Sequence, residues 1–271
     1  MNGVIMLTRP SNWQGVRTLH EFARRGIAVS AVVVEPKTLT ERSRRFWKFL
    51  KVNGPADTLR KVWRILMGLR YFSHEMAQAY ADGLPRNVPE MAARLHMPVH
   101  VVESHNGARC ENLLRRFSPD LILLVGTRII EPHVIRLARV GCLNAHSGWL
   151  PDYRGVHANL WALLEGGRRG VTVHYVDSGV DTGPILLREG LPIGAGDTLE
   201  AIEVRTVELS ARLMGDAVVA IQAGRAIPVP QRLEEGRQFR AIPFRKEEEV
   251  RRLLKNLVEA GRLERMEHGG S

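Results

Sequence analysis

The sequence predicts an α/β layer fold with a mostly parallel sheet and a helical insertion near residues 38–95. Three observations carry the expectation. Short apolar runs rich in β-branched residues alternate with stretches of helical periodicity from the amino terminus onward, the pattern of parallel strands joined by helices. The alternation lapses once, from about Thr38 to Leu95, where helical patterns follow one another with no strand between them. The length of 271 residues, at 44% hydrophobic and 25% charged, suffices for a buried core in one large domain with at most a small appendage.

Taken in order, Gly3–Leu7 is a continuous apolar run that reads as a buried strand, followed by a Thr-Arg-Pro-Ser-Asn turn. Val16, Leu19, Phe22 and Ala23 then recur at helical spacing. Val29–Val34, Val99–Val102 and Leu121–Val125 read as further strands, with helices over Gly107–Phe117 and Pro132–Leu137, the latter opened by its proline. Val171–Tyr175 and Ile185–Arg188 close the strand series. A long helix is expected from Thr198 to about Ile221, capped by Asp197 or Thr198. Turn signals at Ala226–Pro230 lead into a mixed-charge Glu247–Glu259 helix expected to be solvated. The chain therefore divides into one large domain over 1–225 and a partly helical tail over 226–271.

The net charge of +10 is concentrated in the insertion: Pro36–Phe72 holds ten Lys and Arg against Glu41 and Asp57. A solvated basic face, a contact for a phosphorylated ligand, a nucleic-acid site and an anionic membrane contact are all readings of such a segment. Its apolar residues, Phe46, Trp47, Phe49, Leu50, Val62, Trp63, Ile65, Leu66 and Leu69, recur at helical spacing and are expected to pack the insertion onto the domain. No run of about 18 apolar residues and no signal-peptide core is present, and Cys110 and Cys142 stand 32 positions apart without a partner motif, so a reducing cytoplasm is the expected location.

Polar groups cluster at two strand ends. Asn144 and His146, at i and i+2 on a strand, share a face, and a second polar turn carries Asp177, Asp181 and Thr182. Two such loops at neighbouring strand ends bring Asp181 within reach of His146. An amide donor for a developing oxyanion, an imidazole for proton traffic and a carboxylate to orient it are the equipment of acyl transfer.

The fragments Asn144-x-His146-Ser147, Leu150-Pro151-x-Tyr153-Arg154-Gly155, Trp161-Ala162, Gly170-Val171-Thr172-Val173-His174 and Val180-Asp181-Thr182-Gly183-Pro184-Ile185 together resemble the formyltransferase family that uses 10-formyltetrahydrofolate. The match covers roughly Leu121–Gly196, with weaker agreement in strand order back to the amino terminus. It implies the Rossmann-like formyltransferase fold and 10-formyltetrahydrofolate as co-substrate. It further implies Asn144 as oxyanion donor, His146 as proton carrier and Asp181 as the carboxylate that organises His146 and a proton-relay water. The loop of Gly126, Thr127, Arg128, Ile129 and Ile130, with the Asp177–Asp181 loop that includes Val180, is implied to enclose the pterin. No metal is required, in keeping with the lack of a His/Cys/Asp cluster at zinc spacing. His174 alternates with Val171 and Val173 and reads as a structural strand residue.

Departures from the family's branches bear on the amine. Ser11 and Asn12 keep the end of the phosphate loop of the branch acting on glycinamide ribonucleotide, but Pro10 replaces a glycine and removes a backbone donor. Tyr153 and Arg154 join them as candidate substrate contacts. The branch acting on initiator methionyl-tRNA carries a C-terminal β-barrel, for which the residues after Arg225 are too few. Size, the basic insertion and elimination leave a nucleotide-linked amino sugar as the expected acceptor. The alternatives are another small phosphorylated amine such as glycinamide ribonucleotide, and a folate-dependent formyl hydrolase, whose usual N-terminal regulatory domain is missing. A non-catalytic basic module binding nucleic acid accounts for the charge but not for Asn144, His146 and Asp181. The expected partner is thus a small phosphorylated amine, with no nucleic acid and no membrane span; a homodimer is left open.

Overall fold

Seven of the apolar runs pair side by side. In the computed structural model, which describes residues 3–68, 83–193 and 197–259, they are β1 (Val4–Thr8), β2 (Ala31–Val34), β3 (Val99–Val101), β4 (Leu121–Val125), β5 (Gly141–His146), β7 (Gly170–Tyr175) and β8 (Ile185–Gly190). The sheet order is β3-β2-β1-β4-β5-β7-β8. The pairs from β3 through β5 are parallel, and β7 runs antiparallel to both β5 and β8. The strand order reverses between β1 and β4, the place where open α/β sheets leave a crevice.

Both faces of this sheet are covered, which is why its strands read as unbroken apolar runs rather than alternating ones. Val4 and Met6 of β1 join one core and Ile5 and Leu7 the other, as the two-residue pleat requires. Helices α1 (Trp13–Arg24), α3 (Val88–Arg94) and α7 (Leu199–Gln222) supply the first core through Phe22, Met91 and Leu213; α4 (Ala108–Phe117) and α5 (Pro132–Ile135) supply the second through Leu114 and Val134. Each fully buried Leu or Phe of this kind is worth roughly 1.5–3 kcal/mol. Cys110 and Cys142 are free and buried in the second core, and burial pushes both thiols up to about 12. Thr198 is the cap of α7, accepting from the Ala201 N–H.

The tail is woven into the domain. Strand β9 (Arg237–Phe239) pairs parallel with β6 (Tyr153–Gly155) in a second, two-stranded sheet. Phe239 stacks on Tyr153 at 5.3 Å between centroids and lies 5.4 Å from Trp161 of α6 (Ala158–Glu165). Helix α8 (Phe244–Glu259) buries Val250 and Leu254 in the first core, so the expectation of a solvated tail helix holds for one face only.

The insertion differs more. Helix α2 (Leu39–Gly68) is two segments meeting at Gly54, whose φ of 75° and ψ of 170° break the spiral just before Pro55. Phe46, Trp47, Val62, Trp63 and Leu66 do not pack onto the domain: they are 48%, 63%, 39%, 62% and 62% exposed. The inner face is polar instead. Asp57 accepts from Arg245 at 2.7 Å, Lys61 reaches Glu247 at 2.9 Å, and Asn53 accepts from the Phe244 N–H at 2.7 Å. These bonds to α8 fix which side of α2 faces inward. Phe49 and Leu50 are half-buried, while the Ile65 side chain and Leu69 lie outside the described residues, as does any further helix over 69–82.

Candidate active site

Asn144 and His146 leave β5 on one face, as their spacing requires, and the antiparallel neighbour β7 sets His174 directly opposite Asn144. Because β7 runs backward, its following loop starts beside the beginning of β5 and must double back to reach His146. A turn does this: Asp177 Oδ1 accepts from the Gly179 N–H and the Thr182 hydroxyl, and Asp181 takes a left-handed φ of 54°. The carboxylate of Asp181 then lies at the centre of four groups. His146 Nδ1 is 3.3 Å from Oδ2, His174 Nε2 is 3.5 Å from Oδ1, Asn144 Nδ2 donates to Oδ1 at 3.5 Å, and the Gly155 N–H donates to Oδ2 at 2.9 Å.

Hydrogen bonding settles which imidazole nitrogens carry protons. His146 Nε2 lies 2.7 Å from the Tyr153 carbonyl, which only accepts, so Nε2 is protonated. In the neutral ring Nδ1 therefore has no proton, yet it faces a carboxylate. By the same reasoning His174 donates from Nδ1 to the Tyr175 carbonyl at 2.7 Å and turns Nε2 to Asn144 Nδ2 at 3.3 Å. Asn144 satisfies His174; nothing among the described residues supplies a proton between His146 and Asp181. Burial of the His146 ring lowers its pKa, outweighing the pull of Asp181 and the Tyr153 carbonyl in the other direction. Burial also acts to raise Asp181, but the close approach of His174, the nearby His146 and the Gly155 N–H outweigh it and hold this carboxyl below its ordinary range. In the resting site His146 is therefore uncharged and Asp181 ionised.

Two glycines make room for this geometry. A Cβ on Gly148 would lie 2.7 Å from His146 Nε2 and 2.5 Å from the Ala158 Cβ. One on Gly155, at φ of 93°, would lie 2.2 Å from the Phe239 carbonyl oxygen of β9.

A family model described as formyl transferase matches residues 82–218, half of the chain. The chain belongs to the formyl transferase family. A methionyl-tRNA formyltransferase of Pelotomaculum thermopropionicum is 33% identical over 168 residues, covering 61% of this chain and 53% of that protein. The chain spans about half the length of the curated relatives it matches. Glycinamide ribonucleotide transformylase 1 from Symbiobacterium toebii superimposes with a TM-score of 0.57 at 19% identity, over 83% of this chain and 93% of that one. The N-formyltransferase from Helicobacter canadensis, solved with folinic acid and dTDP-3-aminofucose, gives 0.56 at 16% identity over 88% and 71%. These two likenesses establish the shared fold.

On this formyl transferase fold the other sequence-derived candidates divide. Gly126 starts the loop after β4 with φ of 63°, and its missing Cβ admits Asn12 Nδ2, which would otherwise be 1.9 Å away. Thr127 follows it, Ile129 is 78% exposed and Ile130 is buried. Arg128 turns away to Glu35 and Glu41 at 2.9 and 2.8 Å. Val180 is half-buried beside Asp181. Asn12 caps α1, accepting from the Gln14 and Gly15 N–H groups while donating to the Val125 carbonyl, so its side chain and the helix end are both occupied; Ser11 is exposed. Tyr153 packs on Phe239, and Arg154 donates to the Leu233 and Gly236 carbonyls of the tail.

Three contributors escaped sequence reasoning. His174 touches the central carboxylate rather than only filling a strand. Gln231 Nε2 donates to the Asp181 and Gly183 carbonyls at 3.0 and 2.6 Å and clamps the left-handed turn from outside. Glu35, 2% exposed at the end of β2, accepts from the His105 N–H at 2.8 Å and is joined through Arg128 and Glu41 to Arg9. All three depend on tertiary placement, that of His174 on the register that sets it opposite Asn144.

Proposed function

We propose that the chain is an N-formyltransferase that moves a formyl group from 10-formyltetrahydrofolate to a primary amine. The observation that carries this is the convergence of Asn144, His146 and Asp181, with His146 Nδ1 and Asp181 Oδ2 3.3 Å apart. The exposed aliphatic Ile129 and the half-buried Val180, on loops that also offer backbone groups, fit a flat heterocycle, and Gly126–Ile130 with Asp177–Asp181 would hold it. When bound, the folate supplies an activated formyl carbon. Asn144 Nδ2, whose two contacts are long at 3.3 and 3.5 Å, would exchange the one to Asp181 for an oxygen on which negative charge grows. The His146–Asp181 pair would take the proton shed by the amine at Nδ1, where Asp181 stabilises the imidazolium, and return it to the departing folate nitrogen as the bond between that nitrogen and the formyl carbon breaks. The Gly155 N–H keeps the carboxylate in place meanwhile.

For the acceptor we infer an amino sugar carried on a nucleotide. The occupied end of α1 supports this against glycinamide ribonucleotide, because the phosphate-loop position at Ser11 and Asn12 offers few free donors. Initiator methionyl-tRNA is a second reading, favoured by the 33% identity to a methionyl-tRNA formyltransferase and by the net charge of +10. Incubation with 10-formyltetrahydrofolate and a panel of nucleotide-linked amino sugars, glycinamide ribonucleotide and charged initiator tRNA, read by mass spectrometry, separates these. Formate release with no formylated amine would instead mark a hydrolase.

A further inference from the structure

The insertion carries a surface that formyl transfer leaves unused. In the second segment of α2 the residues facing solvent are Leu59, Val62, Trp63 and Leu66, at 70%, 39%, 62% and 62% exposure, spaced i, i+3, i+4 and i+7 so that they form one stripe. The opposite face carries Asp57 and Thr58, only 2% and 6% exposed. A helix that merely covers a core has its apolar stripe inside; this one is turned outward and locked there by Asp57–Arg245 and Lys61–Glu247. The first segment adds Phe46 and Trp47, packed edge to face with centroids 5.7 Å apart and flanked by the exposed Arg44, Lys48 and Lys51.

Charge indicates what such a surface would meet. Helix α2 holds eight Lys and Arg and two acids. Both acids are engaged inside the protein, Glu41 with Arg9 and Arg128, and Asp57 with Arg60 and Arg245. A second copy of the chain would set like charges against like across a self-complementary contact. A polyanion such as RNA would use the Lys and Arg but has no use for an aliphatic stripe. An anionic bilayer uses both, the headgroups taking the cations and the upper acyl region taking leucine and tryptophan.

We propose that α2 is an in-plane anchor that seats the protein on an anionic membrane surface, with Leu59, Val62, Trp63 and Leu66 entering the headgroup–acyl boundary and Arg44, Lys48 and Lys51 on lipid phosphates. Through Glu41 and Arg128 the anchored helix is tied to the loop after β4 that the proposed function assigns to the folate. The test is flotation of the full chain with vesicles of phosphatidylcholine alone and with about 30% phosphatidylglycerol. The wild type is expected to float with the anionic vesicles, at least about tenfold more than with the neutral ones. The triple variant Leu59→Ser, Trp63→Ser, Leu66→Ser is expected to lose about tenfold or more of that binding while keeping its circular dichroism, its melting temperature and its formylation of a soluble amine. Lys48→Gln with Lys51→Gln should weaken binding and flatten its salt dependence. Failure of the wild type to float would overturn the proposal. So would unchanged flotation of the triple variant, which marks a charge-only polyanion contact, or a wild-type dimer in sedimentation equilibrium that the triple variant dissociates.

Discussion

Asp57 is a buried carboxylate and Asp181 a half-buried one, and the protein holds them in opposite ways. Asp57 is met by two guanidiniums, Arg245 at 2.7 Å and Arg60 at 3.4 Å, cations that never lose their charge and that reach water at 80% and 73% side-chain exposure. Asp181 is met by two imidazoles, an amide and a backbone N–H, none of them a permanent cation. A permanent cation makes a lock, and in α2 the lock keeps a polar face inward and an apolar face outward. Titratable partners make a proton site. Such an acid is thus structural or chemical according to the company it keeps, and the contrast can be tested from both ends.

The largest effects are expected at the proton site. His146→Ala and Asn144→Ala should each lower kcat by about a hundredfold or more, the scale for losing an acid–base group or an oxyanion donor. A folded His146→Ala protein with near wild-type turnover would break the contrast outright. Asp181→Asn should lower kcat more than it raises KM for the folate, and it should also move the pH profile. Because burial already lowers His146, the acid limb of kcat/KM is expected below the ordinary imidazole value of about 6.5. Asp181 raises His146, so its neutralisation should push that limb further toward acid. A limb unmoved in Asp181→Asn would remove the carboxylate from proton traffic. Next in size, Gly148→Ala should displace the ring from the Tyr153 carbonyl and lower kcat by about tenfold with little change in KM, since the added methyl meets Nε2 at 2.7 Å.

The lock should respond in stability, not rate. Asp57→Ala is expected to cost about 1–2 kcal/mol in denaturant unfolding, limited by the solvent access of its two arginines, with kcat unchanged. Trp63→Ser should move stability by no more than about 0.5 kcal/mol, because the side chain has little to lose from a surface it already leaves. A large loss there would mean that Trp63 packs after all.

The same contrast shows what a linear sequence can reveal. The parallel strands were legible because both faces are buried, so Val4–Leu7, Ala31–Val34 and Leu121–Val125 read as continuous apolar runs. Asn144 and His146 were legible because two-residue spacing fixes a shared face. His174 was not, since alternation with Val171 and Val173 says strand but not which residue of β5 lies opposite. Helical spacing in α2 revealed a stripe at Val62, Trp63 and Leu66 but not its direction, which ion pairs from Asp57 and Lys61 to Arg245 and Glu247 decide at sequence separations of 188 and 186 residues. Gln231 lies 50 residues from the turn it clamps, and no local pattern reports such a contact.

The most direct test of the central claim, that His146 and Asp181 hold the transferred proton while Asn144 meets the oxygen, is single-turnover formyl transfer from 10-formyltetrahydrofolate to the amine found in the substrate panel. Wild type and His146→Ala are to be compared at saturating folate, with product read by mass spectrometry. The expected result is a formyl mass gain on the amine with wild type and a rate reduced by about a hundredfold or more with His146→Ala, folate binding being retained in both. Equal transfer rates for the two proteins would contradict it.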